Sequence, residues 1–140
     1  MLQVQDLMTH HVVTLRPLDD LRQVEALLRR GSVRHLPVVD GARLVGLVTH
    51  RDLLSAAAQG RGAPAVLALE AMTRDVATVR PEALLSEALQ RMLRSGFGCL
   101  PVVDAQGALV GILTDSDLVR FCGELILGLD RKPEPAEYPC

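Results

Sequence analysis

Tryptophan is missing from this chain, and aromatic residues of any kind are scarce, with one Tyr and two Phe in 140 residues. A core has to be assembled from Leu, Val, Ala and Ile, and an apolar content of 49% supplies enough material for one domain-sized core. Cysteine is almost absent as well. Cys99, Cys122 and Cys140 are odd in number and stand at no metal-ligand spacing. That excludes a disulfide framework and suits a reducing compartment. No apolar run approaches the roughly 20 residues that a membrane-spanning helix needs. The first residues, MLQVQDLMTHH, lack a basic region followed by a long apolar stretch, so no signal peptide is expected. Charge of one sign is lacking too: the formal net charge is -2, which argues against a general nucleic-acid binder. The expectation is a cytoplasmic protein without membrane or nucleic-acid partners. A positive mean hydropathy of +0.23 in so short a chain points to an apolar surface covered by self-association, a homodimer. Brevity and an Arg/Ala/Leu/Gly-rich usage point to a prokaryotic source.

What the chain does have is an internal repeat. Met8-Thr9 returns as Met72-Thr73, and Thr14, Arg16 and Pro17 return as Thr78, Arg80 and Pro81. Leu36-Pro37-Val38-Val39-Asp40 returns intact as Leu100-Pro101-Val102-Val103-Asp104. After one inserted turn residue, Leu44-Val45-Gly46, Thr49 and Asp52-Leu53 return as Leu109-Val110-Gly111, Thr114 and Asp117-Leu118. Chance similarity would not hold register over so much of a unit.

Each copy reads as the same series of elements. A short helical entry at 4–8 leads to a strand at 12–14. Pro17 then opens a helix whose apolar positions Leu21, Val24, Leu27 and Leu28 share one face, with Glu25 and Arg29 paired on the other and Gly31 ending it. Strands at 36–39 and 44–48 flank an Asp40-Gly41 hairpin turn, and a second helix runs over 51–59. The second copy predicts a strand at 76–78, a helix at 82–95, strands at 99–103 and 109–113 around a turn at 105–107, and a helix at 116–127. The order β-α-β-β-α occurs twice. A unit of about 60 residues is marginal alone, so the two copies are expected to cover each other's apolar sheet faces. The boundaries read as repeat 1 at 1–60, linker at 61–66, repeat 2 at 67–127 and a Pro-containing flexible tail at 128–140.

The string glycine, two apolar residues, Thr, any two, Asp closes both units: Gly46-Leu47-Val48-Thr49-His50-Arg51-Asp52 and Gly111-Ile112-Leu113-Thr114-Asp115-Ser116-Asp117. With the upstream Leu-Pro-Val-Val-Asp and Met-Thr elements, it resembles the signature of cystathionine-β-synthase (CBS) domains, over roughly residues 1 to 127. The resemblance implies an α+β fold, a CBS-domain pair. Its two β-α-β-β-α repeats would be related by a pseudo-twofold axis, with small sheets and helices packed on one face. It also implies a regulatory, non-catalytic module that binds AMP, ADP, ATP or S-adenosylmethionine in a cleft between the repeats and signals by conformational change.

The residue types suit that chemistry. Gly46 and Gly111 have no Cβ, so backbone or ligand can approach closely. Thr49 and Thr114 stand where a strand enters a helix, and the free N–H groups of such a first turn make a natural anion site. Asp52 and Asp117 lie one turn on, where a carboxylate accepts the two hydrogen bonds a ribose diol offers. The same Thr and Asp spacing is also a helix cap, and the two uses are compatible. By resemblance, each nucleotide would use the Thr and Asp of one copy and a base pocket from the other. Site A would join Thr114, Ser116 and Asp117 to Thr9, Val13, Val33, Arg34 and His35. Site B would join Thr49, Arg51 and Asp52 to Thr73, Ala77, Phe97 and Gly98. Arg34 and His35 give site A the phosphate-binding charge, whereas site B has Gly98 and Cys99 at those positions and only Arg51 to replace them. Site A is therefore the expected one.

Other residues take plainer readings. His10 and His11 are adjacent, point apart and have no third ligand nearby, so no metal site is expected. Cys99 and Cys122 read as small core residues, Met8 and Met72 as core, and Arg22, Arg29 and Arg30 as a solvated helix face. Leu125-Ile126-Leu127 fits the core and a dimer contact equally well. Asp40 and Asp104 are ordinary turn residues. No nucleophile–base pair and no catalytic cofactor are indicated. The alternative to a nucleotide sensor is a ligand-free dimerisation or docking scaffold in which Thr and Asp act only as caps.

Overall fold

The computed structural model describes residues 1–24, 34–60 and 62–128. Its elements are α1 (Val4–Leu7), β1 (His35–Asp40), β2 (Arg43–Thr49), α2 (His50–Ala57), α3 (Ala68–Ala71), α4 (Leu85–Ser95), β3 (Cys99–Val103), β4 (Leu109–Thr114) and α5 (Asp115–Leu127). Leu21–Gln23 forms a 3-10 turn. The chain divides into two compact units, residues 13–76 and residues 1–12 with 77 onward.

In the unit of residues 13–76, β1 and β2 form an antiparallel hairpin in which His35 opposes Thr49 and Asp40 opposes Arg43. Gly41 takes φ +65 at the turn, which a side-chain-bearing residue adopts only with strain. The register slips between Val38 and Val39, a bulge. Leu15 lies parallel beside Val38 on one side of this hairpin, and Thr73 pairs antiparallel with Leu47 on the other. Leu36, Val38, Val48, Leu53 and Leu21 bury against one another and against Ala56 and Ala68. Each fully buried Leu contributes about 1.5–3 kcal/mol, and no aromatic ring is needed.

The other unit follows the same plan. β3 and β4 pair from Cys99 opposite Thr114 to Val103 opposite Leu109, with the bulge at the equivalent Val102 and Val103. Val79 lies parallel beside Val102, and Thr9 pairs antiparallel with Ile112. Its core gathers Val4, Met8, Leu85, Ala88, Met92, Leu100, Val102 and Leu113. Met8 and Met72 are core residues as expected, Met72 packing from the edge of its cluster. Each hairpin is thus completed by the Met-Thr segment that opens the other sequence repeat.

Several expectations need correction. The strands at 12–14 and 76–78 are not strands. Each segment gives only one ladder position, at Leu15 and Val79, where the main chain exchanges bonds with both Pro37 and Val39, or Pro101 and Val103. The chain turns away at once: the Arg16 amide donates to Asp19 Oδ2 at 2.7 Å, and Pro17 and Pro81 have no N–H to continue a ladder. The helix expected from Pro17 begins instead as the 3-10 turn capped by Asp20, whose Oδ1 accepts the Arg22 amide at 3.0 Å. Its continuation through Glu25, Leu27, Leu28, Arg29, Arg30 and Gly31 lies outside the described residues. The helix expected over 82–95 starts at Leu85, because Leu2 and Gln3 capture the backbone of residues 84 and 85.

Arg22 is not a solvated side chain. Its guanidinium holds the carbonyls of Gly60 at 2.8 Å and Pro64 at 3.2 Å, and that of Ala63, fastening the linker to its unit. Cys122 is exposed rather than core. Leu125, Ile126 and Leu127 are exposed as well, Ile126 by 80%.

Gly46 and Gly111 owe their identity to the borrowed segments. A Cβ on Gly111 would stand 2.7 Å from Met8 Sδ and 2.9 Å from the Thr9 carbonyl oxygen. At Gly46 it would meet Met72 Sδ and come to 3.0 Å from the Thr73 carbonyl. A methionine tip can swing aside, but a paired carbonyl cannot. Gly111→Ala is therefore expected to lower stability by about 1–3 kcal/mol, the usual cost of overpacking, read as a lower urea midpoint with an unchanged slope.

Candidate functional site

Both Thr-x-x-Asp motifs lie where the last strand of a hairpin runs into a helix, β2 into α2 and β4 into α5. The threonine is the N-cap in each, with an extended backbone at φ -99 for Thr49 and φ -124 for Thr114. Its side-chain oxygen accepts the amide of the aspartate, 3.3 Å from Asp52 N and 3.2 Å from Asp117 N. The aspartate returns the bond through Oδ2, to the threonine amide at 2.8 and 2.9 Å and to its hydroxyl at 3.0 Å in both copies. The capping alternative is thus realised twice, satisfying donors that a helix start otherwise leaves open. It consumes Oδ2 and leaves Oδ1 to decide what else each carboxylate does.

Here the two copies part. Asp117 is only 4% exposed. Its Oδ1 accepts the Thr9 hydroxyl at 3.0 Å and lies 3.6 Å from the Arg120 guanidinium. Thr9 is itself buried, 6% exposed, where its segment pairs with Ile112. Asp52 is half-buried, and the equivalent Thr73 is exposed. Among the described residues no donor is bonded to Asp52 Oδ1. Sequence comparison of the two motifs could not have found this difference, because Thr9 and Thr73 match.

The helix entries also differ. α2 begins His50-Arg51, with Arg51 exposed. α5 begins Asp115-Ser116, with Asp115 Oδ1 accepting the Ser116 amide at 2.9 Å. The residue before each hairpin abuts these entries: the His50 amide donates to the Arg34 carbonyl at 2.8 Å, and the Asp115 amide to the Gly98 carbonyl at 3.0 Å. Arg34 is exposed and His35 half-buried. Cys99 is buried, and its thiol is pushed up to about 12, first by burial and then by the nearby Asp115 carboxylate.

The residues expected for site A divide between the units. Thr9, Thr114, Ser116 and Asp117 belong to one, and Val13, Arg34 and His35 to the other, while Val33 lies outside the described residues. Of those for site B, Thr49, Arg51, Asp52 and Thr73 share a unit, and Ala77, Phe97 and Gly98 belong to the other. Val13 and Ala77 are half-buried and pack on the cores of their own units. Phe97 is exposed. Among the described residues no group of three His, Cys, Asp or Glu side chains is placed to hold a metal ion.

The family model for the CBS domain matches residues 4–59 and again 67–124. The chain belongs to the CBS domain family. The crystal structure of the Vibrio cholerae protein AcuB superposes with a TM-score of 0.80 at 38% identity, over 95% of this chain and 99% of that one. CBSX2 in complex with AMP gives 0.77 at 30% identity, over 90% and 99%. The CBS domain pair of protein MJ0100, in complex with 5'-methylthioadenosine and S-adenosyl-L-methionine, gives 0.76 at 28%, over 89% and 98%. The chain spans 21%, 24% and 43% of three curated relatives that it matches, so CBS pairs of this kind also occur as parts of longer proteins. No described helix is long and apolar enough to cross a membrane.

The nucleophilic form of cysteine is the thiolate, and a thiol at about 12 is ionised in about one part in ten thousand at pH 8. Alkylation at pH 8 is expected to label Cys122 within minutes and to leave Cys99 unlabelled until the protein is unfolded. Peptide mapping by mass spectrometry distinguishes the two.

Proposed function

We propose that this CBS pair is a regulatory module that binds an adenosine compound, an adenine nucleotide or S-adenosylmethionine, and transmits its presence by a change of conformation. The observation that carries the reading is the pair of Thr-x-x-Asp junctions. Each sets an aspartate carboxylate at the positive end of a helix, an acceptor for a ribose diol beside a dipole that favours a phosphate. Support comes from CBSX2 and MJ0100, near-complete matches at 30% and 28% identity whose crystals hold AMP, or 5'-methylthioadenosine with S-adenosylmethionine. The residues proposed for binding are the two sets already named, one around Asp117 and one around Asp52, within domains at 1–60 and 67–127.

The module is proposed to regulate rather than catalyse, to act in the cytoplasm and to work on a protein partner as a homodimer. The exposed Val119, Leu125, Ile126 and Leu127 on α5 and Leu93 on α4 support the dimer. A ligand shifts such a module only by binding its two states with different affinity. The scaffold reading keeps one supporting observation: three protein donors already engage the carboxylate of Asp117.

Titration calorimetry with AMP, ADP, ATP, S-adenosylmethionine and adenosine is expected to give saturable micromolar binding of at least one of them. If all fail, the sensor reading falls and the scaffold reading takes its place. Sedimentation of the wild type is expected to report a dimer, and Ile126→Glu a monomer; a monomeric wild type would remove the dimer.

A further inference from the structure

We infer that residues 62–76 form a releasable edge, a strap that the Arg22 guanidinium buckles onto the unit of residues 13–76 and that opens while the corresponding edge at residues 1–12 stays closed. Such a device goes beyond ligand binding and serves a sensor and a docking scaffold alike.

The two edges are built on one plan. Leu67 bridges to Asp20 as Gln3 bridges to Leu84, and Thr73 exchanges main-chain bonds with Leu47 as Thr9 does with Ile112. The amides of Ala68 and Leu69 donate to the carbonyls of Asp19 and Pro17, and those of Val4 and Gln5 to the carbonyls of Ala83 and Pro81. Backbone pairing does not separate the edges; side chains do.

The edge at 1–12 is bolted from inside. Val4 and Met8 are buried in its core. The bond from the Thr9 hydroxyl to Asp117 Oδ1, 3.0 Å long, is buried too, and breaking it would leave both groups short of a partner away from water, which is costly. In the edge at 62–76, Ala68 takes the place of Val4, a smaller side chain to bury. Met72 is half-buried and Thr73 exposed. Less apolar surface leaves water when this edge closes, so less opposes its opening.

The side-chain fastener of the strap sits at its other end, toward solvent. Half-buried Arg22 donates to the carbonyls of Gly60 at 2.8 Å and Pro64 at 3.2 Å, both exposed bonds, and to that of Ala63. The Val66 amide adds a bond to Asp20 Oδ1 at 3.1 Å. Gly60 and Gly62, at φ +78 and +84, supply the left-handed backbone with which the linker turns here. The buckle is particular to the strap, since Ser86 stands at the position equivalent to Arg22. Water competes well for an exposed guanidinium and exposed carbonyls, so these bonds exchange for hydration at little cost. An opened strap withdraws Met72 from its cluster and Thr73 from Leu47, baring the edge of β2. Moving parts of regulatory proteins are drawn from such low-stability segments.

Amide hydrogen exchange of the full chain, followed by NMR and corrected for intrinsic rates, tests the strap. In the wild type the amides of Ala68 and Thr73 are expected to be protected about tenfold less than those of Val4 and Thr9, or weaker still; this comparison needs no variant. Arg22→Ala is expected to lower the protection of Val66, Ala68 and Thr73 by about a further tenfold and to change that of Val4 and Thr9 by less than about twofold. Thr9→Val is expected to do the converse. Equal protection of the two edges in the wild type overturns the strap. So does an Arg22→Ala variant that weakens both edges by one factor, or that leaves Val66, Ala68 and Thr73 as they were.

Discussion

Each hairpin in this protein is finished by a strand-like Met-Thr segment from the other sequence repeat, and that pairing constrains nearly everything around it. Thr9 exchanges main-chain bonds with Ile112, and Thr73 with Leu47. The pairing needs a flat approach, so the facing strand carries Gly46 or Gly111 where any Cβ would strike the methionine and the threonine carbonyl. It also needs an anchor on the apolar side, which Met8 and Met72 provide by packing on the cores of their units. A repeat severed from its neighbour would lose one edge of its sheet and an anchor from its core. This gives a physical reason for finding the motif in pairs that goes beyond the marginal size of one copy.

The same segments touch the chemistry. Thr9 and Thr73 are chemically identical and occupy matched positions, yet one hydroxyl is buried on a carboxylate and the other faces solvent. The buried bond makes the Asp117 carboxylate part of the fold. Its counterpart leaves an acceptor open beside an arginine. The helix entries differ as well: Arg51 stands against Ser116, and His50 against Asp115. Cys99 belongs to the stable half, since burial beside Asp115 keeps its thiol protonated and inert.

Much of this was legible in the sequence. The collinear repeat, the hairpin turns at Asp40-Gly41 and 105–107, and the helix entries at Thr49 and Thr114 all rest on local rules of periodicity, turn chemistry and capping, and they stand within a residue or so of where those rules put them. The misplaced elements share a cause. Strands at 12–14 and 76–78 were expected from local apolar character, but a ladder depends on what lies alongside, and Pro17 and Pro81 cut it to one position. The start of α4 moved to Leu85 because Leu2 and Gln3, far away in sequence, took the backbone of residues 84 and 85. The carbonyl partners of Arg22 lie some 40 residues on, beyond the reach of any local rule.

By itself, then, the sequence determined the family, the doubled β-α-β-β-α order, the capped strand–helix junctions and the pair of carboxylates suited to a ribose. These follow from interactions between residues close in the chain. Only the tertiary structure decided which carboxylate is occupied, which cysteine is buried, and which apolar residues of α5 remain exposed. Those properties depend on the burial of each atom and on donors brought from distant segments, as Thr9 is brought to Asp117 across 108 residues, and no local pattern encodes them.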